Sequence, residues 1–105
     1  MRIFHVVLPD VWDNFHGALY EADSLDAEGF IHCSFDEQLD GVLQRYYSSV
    51  PKVKILEIDA TKLDSKLVVE PSTGGESYPH VYGPINREAI VAVEDRALSF
   101  SEAKQ

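Results

Sequence analysis

The chain has 105 residues, 18 Asp and Glu against 9 Lys and Arg, and a net charge of −9. That length supports one domain with its own core, and the hydrophobic fraction of 45% speaks against disorder. The scattered cations, Arg2 to Lys104, form no stripe, so a nucleic-acid backbone is not expected as partner.

Ile3 to Leu8 is apolar and β-branched apart from His5, and reads as a strand stopped by Pro9. Asp10 is expected to cap a short helix carrying Val11, Trp12 and Phe15, with Gly17 ending it. Ala18 to Glu28 is acidic and irregular and reads as a loop. Phe30 to Cys33 is a short strand after Gly29. Ser34-Phe35-Asp36-Glu37 has the Ser-x-x-Glu spacing of a capping box. Leu39, Val42, Leu43 and Tyr46 follow at helical spacing, with one face to the core. Val53 to Ile58 is a strand apolar on both faces at its centre, hence an interior one. Thr61 to Lys66 is a polar connector with Leu63 turned inward. Leu67 to Val69 is a brief strand broken by Pro71, and Ser72 to Ser77 a Gly-Gly loop. Val81-Tyr82 and Ala89 to Val93 close the set, and residues 99–105 read as a frayed tail.

Five or six short strands with two helices in the N-terminal half favour an α+β domain over residues 1–98, built on a small split antiparallel or mixed sheet. The single Cys33 excludes an internal disulfide. No run approaches the length of a membrane span, and no signal-peptide pattern stands at the start, so a cytoplasmic setting is expected.

Two blocks set a histidine among turn-forming or hydroxyl residues: Glu28 to Ser34, and Glu70 to Ile85. His32 lies where a strand meets a helix start, where backbone N–H groups attract anions; the bland alternative is a ring bonded to a carbonyl. Ser34 is explained as an N-cap that can also touch a ligand. Cys33 should point to the opposite face as a small buried hydrophobe. His5, His16, His32, His80 and Cys33 show no metal-ligand spacing, so no metal is expected. Tyr78, His80 and Tyr82 share one strand face and can wall a planar ligand, or form an amphipathic rim. Glu70 ends a strand beside the Gly-rich loop, where sites tend to form; Glu76 lies within the loop.

On these residues the chain resembles the family called domain of unknown function 952. The resemblance spans Trp12, Glu28-Gly29-Phe30-Ile31-His32-Cys33-Ser34, Gln38, Tyr47, Leu56 to Asp59, Leu63, Leu67, Glu70, Gly75 and Tyr78 to Ile85. That family is similar to a small ADP-ribosyltransferase-like fold, a split sheet whose cleft holds NAD. The resemblance implies that His32 bonds a ribose hydroxyl and Ser34 touches the nicotinamide ribose. It implies that Tyr82, or else Tyr47, stacks on the nicotinamide, and that Glu70 is the acid, with Glu88 and Glu76 as alternatives. His80 completes the expected cleft. The expected roles are catalytic for His32, Glu70 and Tyr82, and NAD-binding for His32, Ser34, His80 and Tyr82. A non-catalytic small-ligand module and an interaction domain are the competing readings.

Overall fold

The computed structural model describes residues 1–72 and 74–98; the tail expected at 99–105 lies outside the described residues, as does Thr73 of the Gly-Gly loop. In chain order the elements are β1 (Arg2–Val7), α1 (Pro9–Asp13), β2 (Leu19–Tyr20), α2 (Asp23–Glu28), β3 (Ile31–His32), α3 (Leu39–Tyr46), β4 (Lys52–Asp59), β5 (Lys66–Pro71), β6 (Ser77–Tyr82), β7 (Ile85–Asn86) and β8 (Ile90–Ala97). Single 3-10 turns precede α3, β5 and β8.

Two three-stranded sheets form, ordered β1-β4-β8 and β3-β6-β5, with β2-β7 as a separate ribbon. Every strand pairing between them is antiparallel, so the mixed-sheet alternative falls away and the α+β class stands. β4 is interior, as its two-faced apolar pattern implies. Val53 and Ile55 pack with Val6, Leu39 and Leu43, while Leu56 and Ile58 pack with Ile3, Ile31, Val81 and Ile85. Period-2 alternation thus sends one strand's side chains into two core clusters. The sheets meet at one seam, where Phe4 and Ser34 exchange backbone hydrogen bonds of 2.8 and 2.7 Å. That seam sets β1 beside β3 and creates the cleft wall.

Four local expectations are corrected. Ala18 to Glu28 is not a loop: Tyr20 is buried as part of β2, and α2 follows it, ended by Gly29 in the left-handed region at φ 90°. Six helical residues are too few for a periodic signal. Ser34 does not cap α3. Its backbone is committed to Phe4, Phe35 holds the cap position, and Gln38 Oε1 reaches back to the Phe35 N–H at 3.0 Å. Likewise Pro9 opens α1 rather than merely ending β1, and Asp10 sits in its first turn without a capping bond. Tyr46 faces solvent, and Tyr47 takes its expected place against the core.

Gly83 is required where it stands. Its φ is 152°, and an added Cβ would collide with the Ser65 hydroxyl and come within 2.9 Å of Ser65 Cβ. Ser65 cannot yield freely, because its hydroxyl donates to the Pro84 carbonyl at 2.6 Å. Gly83→Ala is expected to lower stability by about 2 kcal/mol, from backbone strain and steric clash together. Chemical denaturation measures it, and Ser65→Gly in that background should restore only the steric part.

Candidate functional site

β1, β3 and the second half of α3 border a cavity of about 520 Å³. His32 of β3 lines it with Cys33 and Ser34 just beyond; Phe4 to Val7 line it from β1; Val42 and Tyr46 from α3, with Tyr47 at its end. Leu8, Val11, Tyr20 to Ser24, Ser72 and Tyr78 supply the rest of the wall. The volume lies within the range of pockets that bury a small organic ligand.

His5 organises this wall from inside. Its ring is buried, and Nδ1 lies 2.7 Å from the His32 carbonyl. A carbonyl can only accept, so Nδ1 carries the proton. Burial lowers the His5 pKa from 6.5 to about 4, so the ring is neutral. Nε2 is therefore an acceptor, and the Tyr20 hydroxyl donates to it at 3.0 Å. Burial, with smaller effects from Tyr47, Cys33 and Asp23, pushes the Tyr20 phenol up to about 12 and keeps it a donor. The chain of Tyr20, His5 and the His32 backbone fixes the site's central strand. Burial also pushes the Cys33 thiol upward, which suits an inert core residue.

The His32 side chain is half-exposed and donates from Nε2 to Glu28 at 3.0 Å. Its cross-strand partner is His80. The two rings meet edge to face at a centroid distance of 5.3 Å. His80 is 3% exposed and donates from Nδ1 to Glu70 Oε2 at 2.7 Å. The Tyr82 hydroxyl donates to the same oxygen. These two bonds, Tyr82 foremost, hold the Glu70 carboxyl below the usual carboxylate range, and the carboxylate in turn raises the Tyr82 phenol. Phe30 stacks on His80 at 4.1 Å and 20°. The remaining nitrogen, His80 Nε2, is buried and has no partner among the described residues.

The expected residues thus divide. His32 and Ser34 line the cavity. Glu70, His80 and Tyr82 form a second cluster, joined to the first through the two histidine rings, and are not part of the lining. Tyr78, on the same strand face as His80 and Tyr82, does line it. Its hydroxyl takes a 2.6 Å bond from Arg45. Glu88 sits apart, bonded to Asn86. Glu76 braces the hairpin through Gln38 at 2.9 Å. Neither histidine rests on a backbone carbonyl, against the bland alternative for His32. Among the described residues no group of three ligating side chains could hold a metal ion.

Sequence reasoning gave no role in the site to His5, Tyr20, Glu28 or Phe30. For His5 the signal was present: one imidazole interrupts an apolar run. For the others no spacing announces the contact.

The residues from Val7 to Val93 match the family described as "Protein of unknown function (DUF952)". The chain belongs to the DUF952 family. It is similar to protein CC0527 from Caulobacter crescentus, whose crystal structure superposes with a TM-score of 0.84 at 26% identity, covering 94% of this chain and 89% of that one. The crystal structure of a double methionine mutant of CC0527 gives 0.83 at 25%, over 94% and 89% of the two chains. The solution structure gives 0.81 at 25%, over 95% and 88%. No curated protein matches the chain. The family match carries the family, and the superpositions carry the fold. Among the described residues no helix is long and apolar enough to cross a membrane.

Proposed function

We propose that the cavity between β1, β3 and α3 binds a small ring-and-sugar ligand of the nicotinamide nucleoside type, the ring-bearing half of NAD. The observation that carries this reading is the convergence of His32 and Ser34 on one cavity walled by Tyr20, Tyr46, Tyr47 and Tyr78. Tyrosine rings supply stacking surface, and the imidazole and hydroxyl supply the few polar contacts that orient a sugar. Ser34 is free of the capping duty expected of it, since Gln38 serves the helix start.

The pyrophosphate of NAD fits less well. Among the described residues no Lys or Arg lines the cavity. The reading therefore concerns binding, and ADP-ribosyl transfer or hydrolysis stands second. Glu70, the acid that transfer would use, is committed to His80 and Tyr82 outside the lining.

The test is a ligand-observed NMR titration with NAD, ADP-ribose and nicotinamide. Saturable binding of nicotinamide or NAD, weakened about tenfold in His32→Ala, is expected for a removed hydrogen bond. Absence of binding by all three would end the nicotinamide reading and favour a different small ligand. Incubation with NAD then reports whether nicotinamide is released.

A further inference from the structure

The cavity's wall is not neutral. Glu21 and Asp23, both exposed, stand at its rim, and among the described residues no cationic side chain lines it. The helix start beside Ser34 offers an anion little. The Ser34 N–H is bound to Phe4, the Phe35 N–H to Gln38, and Asp36 and Glu37 occupy the first turn. Arg45, outside the lining, is held on the Tyr78 hydroxyl with its guanidinium 5.7 Å from the centre of the Tyr46 ring, which leaves Tyr47 as the lining tyrosine of this group that it does not touch. Tyr20, Tyr46, Tyr47 and Tyr78 line the same cavity as the two carboxylates.

Carboxylates beside electron-rich ring faces attract an organic cation and repel a phosphate. We infer that the cavity selects a positively charged, phosphate-free ring, an N-alkylated pyridinium with or without a sugar, over both its uncharged counterpart and its phosphorylated forms. This rests on the nicotinamide nucleoside reading and names the ligand's charge. A pyridinium nucleoside meets every feature at once: the cationic ring against tyrosine faces and rim acids, the sugar hydroxyls near His32 and Ser34. The 5′-phosphate of the corresponding nucleotide would meet the rim carboxylates Glu21 and Asp23 with no cationic side chain among the described lining residues, in a chain of net charge −9.

The experiment is calorimetric titration of the full chain at low salt with four probes: the ring-methylated cation 1-methylnicotinamide, uncharged nicotinamide, nicotinamide riboside and nicotinamide mononucleotide. 1-Methylnicotinamide should bind about tenfold tighter than nicotinamide, a gap of the size that cation–π contact and nearby acids provide. The riboside should bind tighter than the mononucleotide. The double substitution Glu21→Gln, Asp23→Asn, on an exposed rim and with melting temperature unchanged, should shrink the cation's advantage to about threefold or less. Equal binding of cation and uncharged ring, tighter binding of the mononucleotide, or an undiminished preference in the double variant would each overturn the inference while leaving the nicotinamide reading in place. Binding of none of the four probes would remove both.

Discussion

Stability is expected to fall by about 3 kcal/mol as pH drops from 6.5 to 4, with His5 responsible for the loss. In the folded chain the His5 pKa is lowered to about 4 from 6.5 because the ring is buried, with the neighbouring His32 adding slightly and the bond to the His32 carbonyl opposing. The unfolded chain binds a proton near pH 6.5 and the folded chain does not until near pH 4. Between those values the unfolded state holds more protons, so acid favours it. The contribution is complete above pH 6.5 and lost as pH falls toward 4. The separation of the two pKa values corresponds to about 3 kcal/mol, a large share of the stability of a domain this size. The carboxylates with lowered pKa, Asp59, Glu70, Glu88 and Asp95, lose their contributions at more acid pH, since their unfolded values lie near 4. The window from 6.5 to 4 therefore belongs mainly to His5. Denaturant unfolding at a series of pH values, on wild type and His5→Asn, separates the two. Asn supplies an N–H toward the His32 carbonyl but cannot titrate, so its stability should be lower at pH 7 and flatter toward pH 4. Parallel curves for the two proteins would show that His5 is not the group that titrates. An imidazole resonance with a midpoint near 4 gives the direct reading.

The same residue shows where sequence reasoning reaches and where it stops. Strand β4 was legible because its two-sided apolar pattern has one structural solution, an interior position between β1 and β8. The shared face of Tyr78, His80 and Tyr82 was legible because a strand alternates. The pairing of His32 with His80 was not, since register between β3 and β6 depends on long-range packing of Ile31 against Val81. Ser34 misled because a Ser-x-x-Glu spacing marks a helix start only when the serine's backbone is not already claimed. Here β1 claims it. The Gln38 side chain then caps instead, one turn further on. The site was thus half-visible: its histidines and Glu70 stood out among 18 acids, while the pairings of His80 with Glu70 and of His32 with Glu28 did not. Charge composition alone cannot pick a partner, because the choice is made by which side chains the strands bring within 3 Å.

The Glu70–His80 pair is expected to act as the brace of the site's back wall rather than as a ligand contact. His80 is almost wholly buried beneath Phe30, so His80→Ala should lower stability by about 3 kcal/mol, through lost ring packing and an unfilled cavity. Glu70→Ala should reproduce part of that loss as a lower melting temperature, because it strands His80 Nδ1 in a site where Nε2 is already unpartnered. Glu70→Gln retains an oxygen to accept from Nδ1 and should melt close to wild type. A double-mutant cycle between the two positions should therefore show strong coupling, since the second substitution removes a group the first has already orphaned. Binding in the cavity discriminates between bracing and contact. If Glu70 only braces, Glu70→Gln leaves nicotinamide affinity within about twofold of wild type, well inside the tenfold loss expected of His32→Ala. If Glu70→Gln melts normally yet abolishes binding or nicotinamide release from NAD, the carboxylate itself reaches the ligand. Phe30 and His80 must then part to admit it, and Glu70 regains the acid's role that the family resemblance implies.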